Sequence, residues 1–450
     1  MPVIILAQTK DYIKITGTVS DNITNNPLPY VSLSTETNLG TLSNSDGRVV
    51  LKYPKELAST ELYISYIGYK TTIIILPETD IEDMIFKLNP DTFSVQEVTV
   101  LPLKAEEIIT MAIKNIASNY HDTTIYMDAF YRKTKNNTMS LELRNNNYFF
   151  KELPVDMMKQ AVFTLKKESV NEKKTKELRR VNAFKYEMEK NGVDSIISAF
   201  KAVLSPSMDS VEILEFDSVS NVIVEKLEEQ SLSKDDFWEI DQFDVTNKRK
   251  DHLVLSDKAL KKYYVYTLKD IVKYNDRQTY VIDISPISCK KDCFFSGTIY
   301  IDLETYAFVK ELYFLDDQCE KCYKSQKIFG MTRTPISFQA TVTYKKYKSF
   351  WGLSHASFNE VNDINLGKNI FATAYLLLKL QGKLKKDRKE YFPRSIYHVN
   401  NNTTEFFVND IYMHDDIGFD GDNTIKGEIV DQINTDNKDI WGKYNYLETP

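Results

Sequence analysis

Short runs in which apolar and polar residues alternate, separated by turn residues at roughly 8–12-residue spacing, dominate this chain and restrict it to a mainly β fold. Ile13, Ile15 and Val19 begin the first run, and Tyr30 to Leu33, Val49 to Tyr53, Glu61 to Tyr66 and Thr71 to Leu76 follow. A second series starts near Leu253: Tyr263 to Leu268, Thr279 to Ser285, Gly297 to Leu303, Ala307 to Phe314, Ser337 to Tyr347, Ala356 to Val361 and Phe371 to Leu380. A period of two sends Phe338, Ala340, Val342 and Tyr344 to one face and Thr341, Thr343 and Lys345 to the other. Short connections make the sheet antiparallel, because parallel neighbours need long crossovers. The 28 Tyr and 24 Phe suit pleated, half-buried surfaces. With 42% hydrophobic residues and only 14 Gly and 13 Pro, the chain is not a largely disordered one.

The pattern divides the chain. Residues 12–90 read as a β-sandwich, with a tight turn at Ser45-Asp46-Gly47 where glycine accepts a positive φ. Residues 91–104 read as a linker with one strand, Val95 to Leu101. In the 105–450 domain a helix is expected from Ala105 to Tyr120, since Ile108, Ile109, Ala112, Ile113, Ile116 and Tyr120 recur at helical spacing. Ile125 to Arg132 reads as a strand, Asn171 to Arg180 as a charged, exposed stretch, and Val193 to Leu204 as a helix stopped by Pro206. Residues 1–11 read as the end of a secretory signal or an N-terminal extension: Val3 to Ala7 is apolar and precedes Lys10-Asp11.

Two groups of motifs resemble known sequences. Gly17-Thr18-Val19-Ser20-Asp21, Pro27-Leu28-Pro29-Tyr30-Val31-Ser32-Leu33, Gly40 to Gly47 and Ile64-Ser65-Tyr66-Ile67-Gly68-Tyr69-Lys70 resemble the carboxypeptidase regulatory-like domain of Bacteroidota envelope proteins. Arg48-Val49 departs from that family, which usually has an aromatic just after the turn glycine. The resemblance implies a seven-stranded, transthyretin-like sandwich without zinc or catalytic residues. Thr279 to Pro286, Gly297 to Asp302, Ala129-Phe130-Tyr131-Arg132 and Asp439 to Asn445 are similar to the second domain that follows this sandwich in related proteins of unknown function. The 279–302 hairpin is also similar to the periplasmic lipoprotein-carrier fold, a curved antiparallel sheet covered by helices. That analogy implies an apolar groove, while a closed core is the general rule for such side chains.

Four cysteines form the sharpest local feature: Cys289 and Cys293, then Cys319 and Cys322. Strand directions bring both pairs to one end of the sheet. The geometry suits disulfides or a four-thiolate zinc site, unpaired thiols are the third reading, and export to an oxidising compartment favours disulfides. The histidines, His121, His252, His355, His398 and His414, are dispersed and match no zinc-peptidase helix. No nucleophile elbow or phosphate-cradling glycine loop occurs. Asp420 and Asp422 have calcium-loop spacing, but Ile425 replaces the glycine that an EF-hand needs. A net charge of -7 without a basic block argues against nucleic acid. Apolar stretches are too short for a transmembrane helix. The expectation is a non-catalytic, exported protein of the periplasm or outer-membrane periphery without a cofactor, binding an envelope protein or lipid-like ligand. The alternative is a hydrolase acting on envelope glycan or peptide.

Overall fold

The computed structural model describes residues 12–35, 40–44, 46–91, 103–143, 149–170, 177–188, 238–246, 255, 263–274, 277–289, 295–322, 326–328, 331–347, 349–366 and 393–413. The expected leader, the strand Val95 to Leu101, the helix Val193 to Leu204, the strand Phe371 to Leu380, the acidic loop at Asp420 and the tail around Trp441 lie outside these residues.

The first seven strands form a sandwich. One sheet runs β4 (Arg48–Pro54), β1 (Tyr12–Asp21), β7 (Ile81–Leu88); the other runs β3 (Gly40–Leu42), β2 (Ser32–Ser34), β5 (Glu61–Ser65), β6 (Thr72–Ile75). All pairs are antiparallel except β1 with β7. Ile13, Ile15, Val19, Leu33, Leu51, Tyr53, Leu62, Ile64 and Leu88 fill the space between the sheets. The motifs singled out in the sequence interlock here. Tyr69 donates to Asp21 at 2.7 Å, while Asp21 also accepts the Ile23 and Thr24 amides. Ser43 donates to the Leu28 carbonyl and accepts from the Val31 amide. Gly47 has φ +74°, and a Cβ there would lie 2.7 Å from the Val19 carbonyl oxygen, so only glycine fits the turn.

The remaining strands build one antiparallel sheet. Its order is β10 (Glu177–Met188), β9 (Phe149–Lys167), β8 (Ile125–Leu143), β18 (Pro393–Tyr412), β17 (Phe350–Leu366), β16 (Met331–Tyr347), β14 (Phe308–Leu315), β13 (Phe295–Asp302), β12 (Arg277–Pro286), β11 (Tyr264–Tyr274), with β15 (Gln326–Ile328) beside β16. Two meanders, β8–β10 and β11–β18, are joined where β18 pairs with β8 from Tyr412 opposite Tyr126 to Pro393 opposite Leu143. Glu177 to Arg180, expected in an exposed stretch, belong to β10, because β9 offers them a ladder that the local sequence does not reveal.

One face of this sheet carries the larger core. The expected helix is two helices, α1 (Ala105–Lys114) and α2 (Ile116–Asn119), broken at Asn115. The Lys104 amide donates to Glu107, which caps the start of α1. Ile108, Ile109, Ala112 and Ile113 pack against Ile282, Ile299, Ile301, Phe308, Val342 and Tyr344. Tyr264 and Tyr266 are the inward residues of β11, whereas Val265 between them points to the opposite face and is 45% exposed. A third helix, α3 (Trp238–Phe243), sends Phe243 into the middle of Phe295, Tyr313, Phe338 and Phe358 at ring distances of 5.4–6.1 Å. Beside it Lys167 donates to Asp244 and Thr246, both at 2.6 Å, so this buried ammonium is matched by a carboxylate.

Candidate functional site: a cleft between sandwich and sheet

The opposite face of the sheet alternates with the core face and, by sequence, is the polar one. The structure buries it nonetheless, because the sandwich sits on it. Thr341, Thr343, His355, Ser357, Lys310 and Glu405 are all buried. Ser357 donates to the Tyr30 hydroxyl at 3.1 Å. The Tyr30 ring lies 5.4 Å from His355, whose other neighbour is Phe407 at 4.7 Å. Tyr30 holds φ +57°, a left-handed backbone that costs a non-glycine residue roughly 1–2 kcal/mol and is kept here by the seated ring. The Lys310 ammonium stands 4.9 Å from the centre of the Tyr66 ring, a cation–π contact between the two units. Arg132 of β8 pairs with Glu405 directly across the β18 ladder, its Nε 2.8 Å from the carboxylate.

Next to these contacts the two units leave a cleft of about 290 Å³. Ser34, Tyr63, Ser65 and Thr71 line it from the sandwich, and Arg277, Thr279, Asp302, Lys345, Lys346 and Trp351 from the sheet. Its one described acid is already neutralised. Arg277 grips Asp302 through Nε (2.5 Å) and Nη2 (2.9 Å), and Thr305 adds its amide and hydroxyl. Burial pushes the Asp302 carboxyl up, but these bonds outweigh it and hold the group below the ordinary carboxylate range. Lys345 and Lys346 have no ion-pair partner among the described residues. Burial pushes the Lys345 ammonium down to about 8. Lys310, behind it, is also pushed down to about 8 by burial. His355 is held down at about 3, chiefly by burial and further by Lys310. The interface therefore carries excess positive charge within an acidic chain.

The residues expected to form a site are elsewhere. Cys289 and Cys319 are joined by a disulfide across 30 residues, with Cα atoms 5.0 Å apart. This bond links one member of each cysteine pair. Cys293 lies outside the described residues, and Cys322 ends the 3-10 turn Asp317–Cys322. Among the described residues no group of three or more His, Cys, Asp or Glu is placed to hold a metal. His121 and His355 are both buried; the Nδ1 of His121 lies 3.1 Å from the Thr123 carbonyl oxygen, whereas neither ring nitrogen of His355 has a partner among the described residues. The cleft lysines were not singled out by sequence reading. Their only signal is a Lys-Lys step at the end of an alternating strand, which ordinarily marks a solvated edge.

Comparison with known proteins supplies one family. Residues 15–100 match the family model of the CarboxypepD_reg-like domain, which covers the sandwich. No curated protein matches the chain. Among solved structures the chain is similar to a domain assigned to outer membrane lipoprotein sorting from Vibrio parahaemolyticus, at 10% identity and a TM-score of 0.23, over 70% of this chain and 95% of that one. A DUF1329 family protein from Desulfovibrio piger (7%, 0.23, 70% and 95%) and a LolA superfamily protein from Nitrosomonas europaea (7%, 0.21, 70% and 94%) are similar to the same extent. Scores this low lie below the level of a shared fold.

Proposed function

We propose that this is a non-catalytic binding or assembly module of the bacterial envelope, in which the sandwich and the large sheet together receive a ligand or partner in the cleft between them. The observation that carries this reading is the cleft itself: an open, positively charged space at a junction of two folded units, where ligand sites preferentially occur. Export to the periplasm or outer-membrane periphery is supported by the Cys289–Cys319 disulfide, since such bonds persist in oxidising compartments. It is also supported by the sandwich's likeness to a module of envelope proteins. We take the remaining thiols, Cys293 and Cys322, as a second disulfide, with zinc as the alternative. No helix among the described residues is long and apolar enough to cross a membrane. A lipid-like ligand on the core face at Phe243 would have to displace that ring from its four aromatic neighbours.

The test combines location with occupancy. Fractionation of the native host should find the protein in the envelope. A photo-crosslinking residue at Thr71 should capture a defined species that the same residue at an exposed site such as Ile85 does not. Cytoplasmic residence, or identical capture at both positions, would refute the proposal.

A further inference from the structure

Resting on that reading, we propose that the cleft binds a small oxyanion, a carboxylate or phosphate group, held by Lys345 and Lys346 of the sheet and by hydroxyls of the sandwich. Three observations converge. First, the charges in the lining do not cancel. Asp302 is claimed by Arg277, and Arg277 in turn is shared with Glu304 at 2.9 Å, so among the described residues the two lysines are left as the uncompensated charges. Second, the Lys345 charge is partly withdrawn from water. An ammonium in such a setting is stabilised by an incoming anion much more than an exposed one is, because the local dielectric screens the pair less. Third, the opposite wall supplies the hydroxyls of Ser34, Ser65 and Thr71, groups that can donate to oxygen without adding charge. A carboxylate or phosphate presents several acceptor oxygens and would draw donors from both walls. The volume, about 290 Å³, fits a small molecule or the head of a larger one, not a folded partner.

The site spans the junction, so its ligand would also fasten the sandwich to the sheet. Binding to the native, assembled form alone raises stability by linkage. Lys345 is central in this respect: it also lines the neighbouring pocket formed by Ser32 to Ser34, Thr41, Tyr347 and Phe407.

The full chain is titrated calorimetrically with inorganic phosphate, with acetate and with neutral methyl glucoside, and thermal unfolding is followed in parallel. The expected result is saturable binding of at least one anion, in about the millimolar range, with a rise in melting temperature. Lys345→Gln should weaken it at least about tenfold, the loss expected when a charge-assisted bond becomes a neutral one. Lys346→Gln should weaken it as well, and Lys55→Gln, in the sandwich's 3-10 turn Lys55–Leu57 outside the cleft lining, should leave it unchanged. Preference for phosphate over acetate assigns a phosphate-bearing ligand, and the reverse a carboxylate. Anion binding that both cleft variants leave unaltered would overturn the proposal, as would no anion binding at all. Saturable binding of the glucoside alone would also overturn it while keeping the cleft as a binding site. Circular dichroism of each variant, compared with the parent, separates lost binding from lost folding.

Discussion

His355 is the residue whose surroundings are most at odds with its chemistry. It is fully buried between Tyr30 and Phe407, and burial holds its pKa at about 3. The unfolded chain takes up this proton near 6.5. Between those values the unfolded state therefore binds more protons, and stability declines as pH falls; above about 6.5 the group contributes no slope. His355→Phe keeps an aromatic ring and removes two nitrogens that have no partner among the described residues. The variant should match or exceed the parent at about pH 7, since a buried unsatisfied polar group costs roughly 1–3 kcal/mol. Between about pH 7 and pH 4 it should lose about 3 kcal/mol less stability than the parent, measured by urea unfolding. Parallel pH profiles would mean that the histidine is solvated in solution. Composition and spacing could not single out His355: among five dispersed histidines, nothing local says which one a distant sandwich will cover.

Among the elements, the alternating runs were legible and their partners were not. Alternation located β11 to β14, β16 and β17 because each strand packs one face, and a period of two is a local property. The neighbour relation of β18 and β8 is not local. Their ladder joins residues as far apart as Tyr126 and Tyr412, and nothing in either stretch names the other. It places Phe406 next to Phe163 at 5.7 Å in the large core. Phe406→Ala should cost about 3–5 kcal/mol, read from chemical denaturation; an effect below about 1 kcal/mol would mean that the β18 ladder contributes little. The cysteine region was legible to a similar degree: strand direction brought the pairs together, but it could not choose among pairings. Opening the Cys289–Cys319 bond by Cys319→Ala should lower stability by roughly 2–4 kcal/mol, as expected for a closed loop of 30 residues. Thiol counting on unreduced protein, before and after the substitution, checks the linkage directly.

For the whole molecule, the described residues hold two separate cores, one inside the sandwich β1–β7 and one on the large sheet. The surface between them was illegible because it consists of Thr, Ser, Lys and His on the outward side of alternating strands, the usual look of a solvated face. The seat of Tyr30 on His355 and Ser357, and of Tyr66 on Lys310, makes the two parts thermodynamically coupled. A single calorimetric transition is expected for the full chain. Tyr30→Ala should split or broaden it, with the sandwich melting first, whereas two transitions in the parent would mean the contact is weak. The same packing bears on lipid binding. With Phe243 packed among Phe295, Tyr313, Phe338 and Phe358 on the core face, a fluorescent fatty-acid probe should show no saturable signal there, and Phe243→Ala should create one if the vacated space is apolar.

The joining of β8 to β18 also imposes an order in time. A ribosome adds roughly 5–20 residues per second, so the strand that ends at Leu143 waits on the order of 15–50 seconds for its neighbour to be made. Until then a 19-residue edge is open to any strand that reaches it first. Chains emerging side by side into the envelope present each other with the same β18. The closing strand of one copy can then complete the sheet of another, and the product is an exchanged dimer. Its abundance should rise with expression rate and fall when synthesis is slowed, leaving the isolated monomer unchanged in every contact described above.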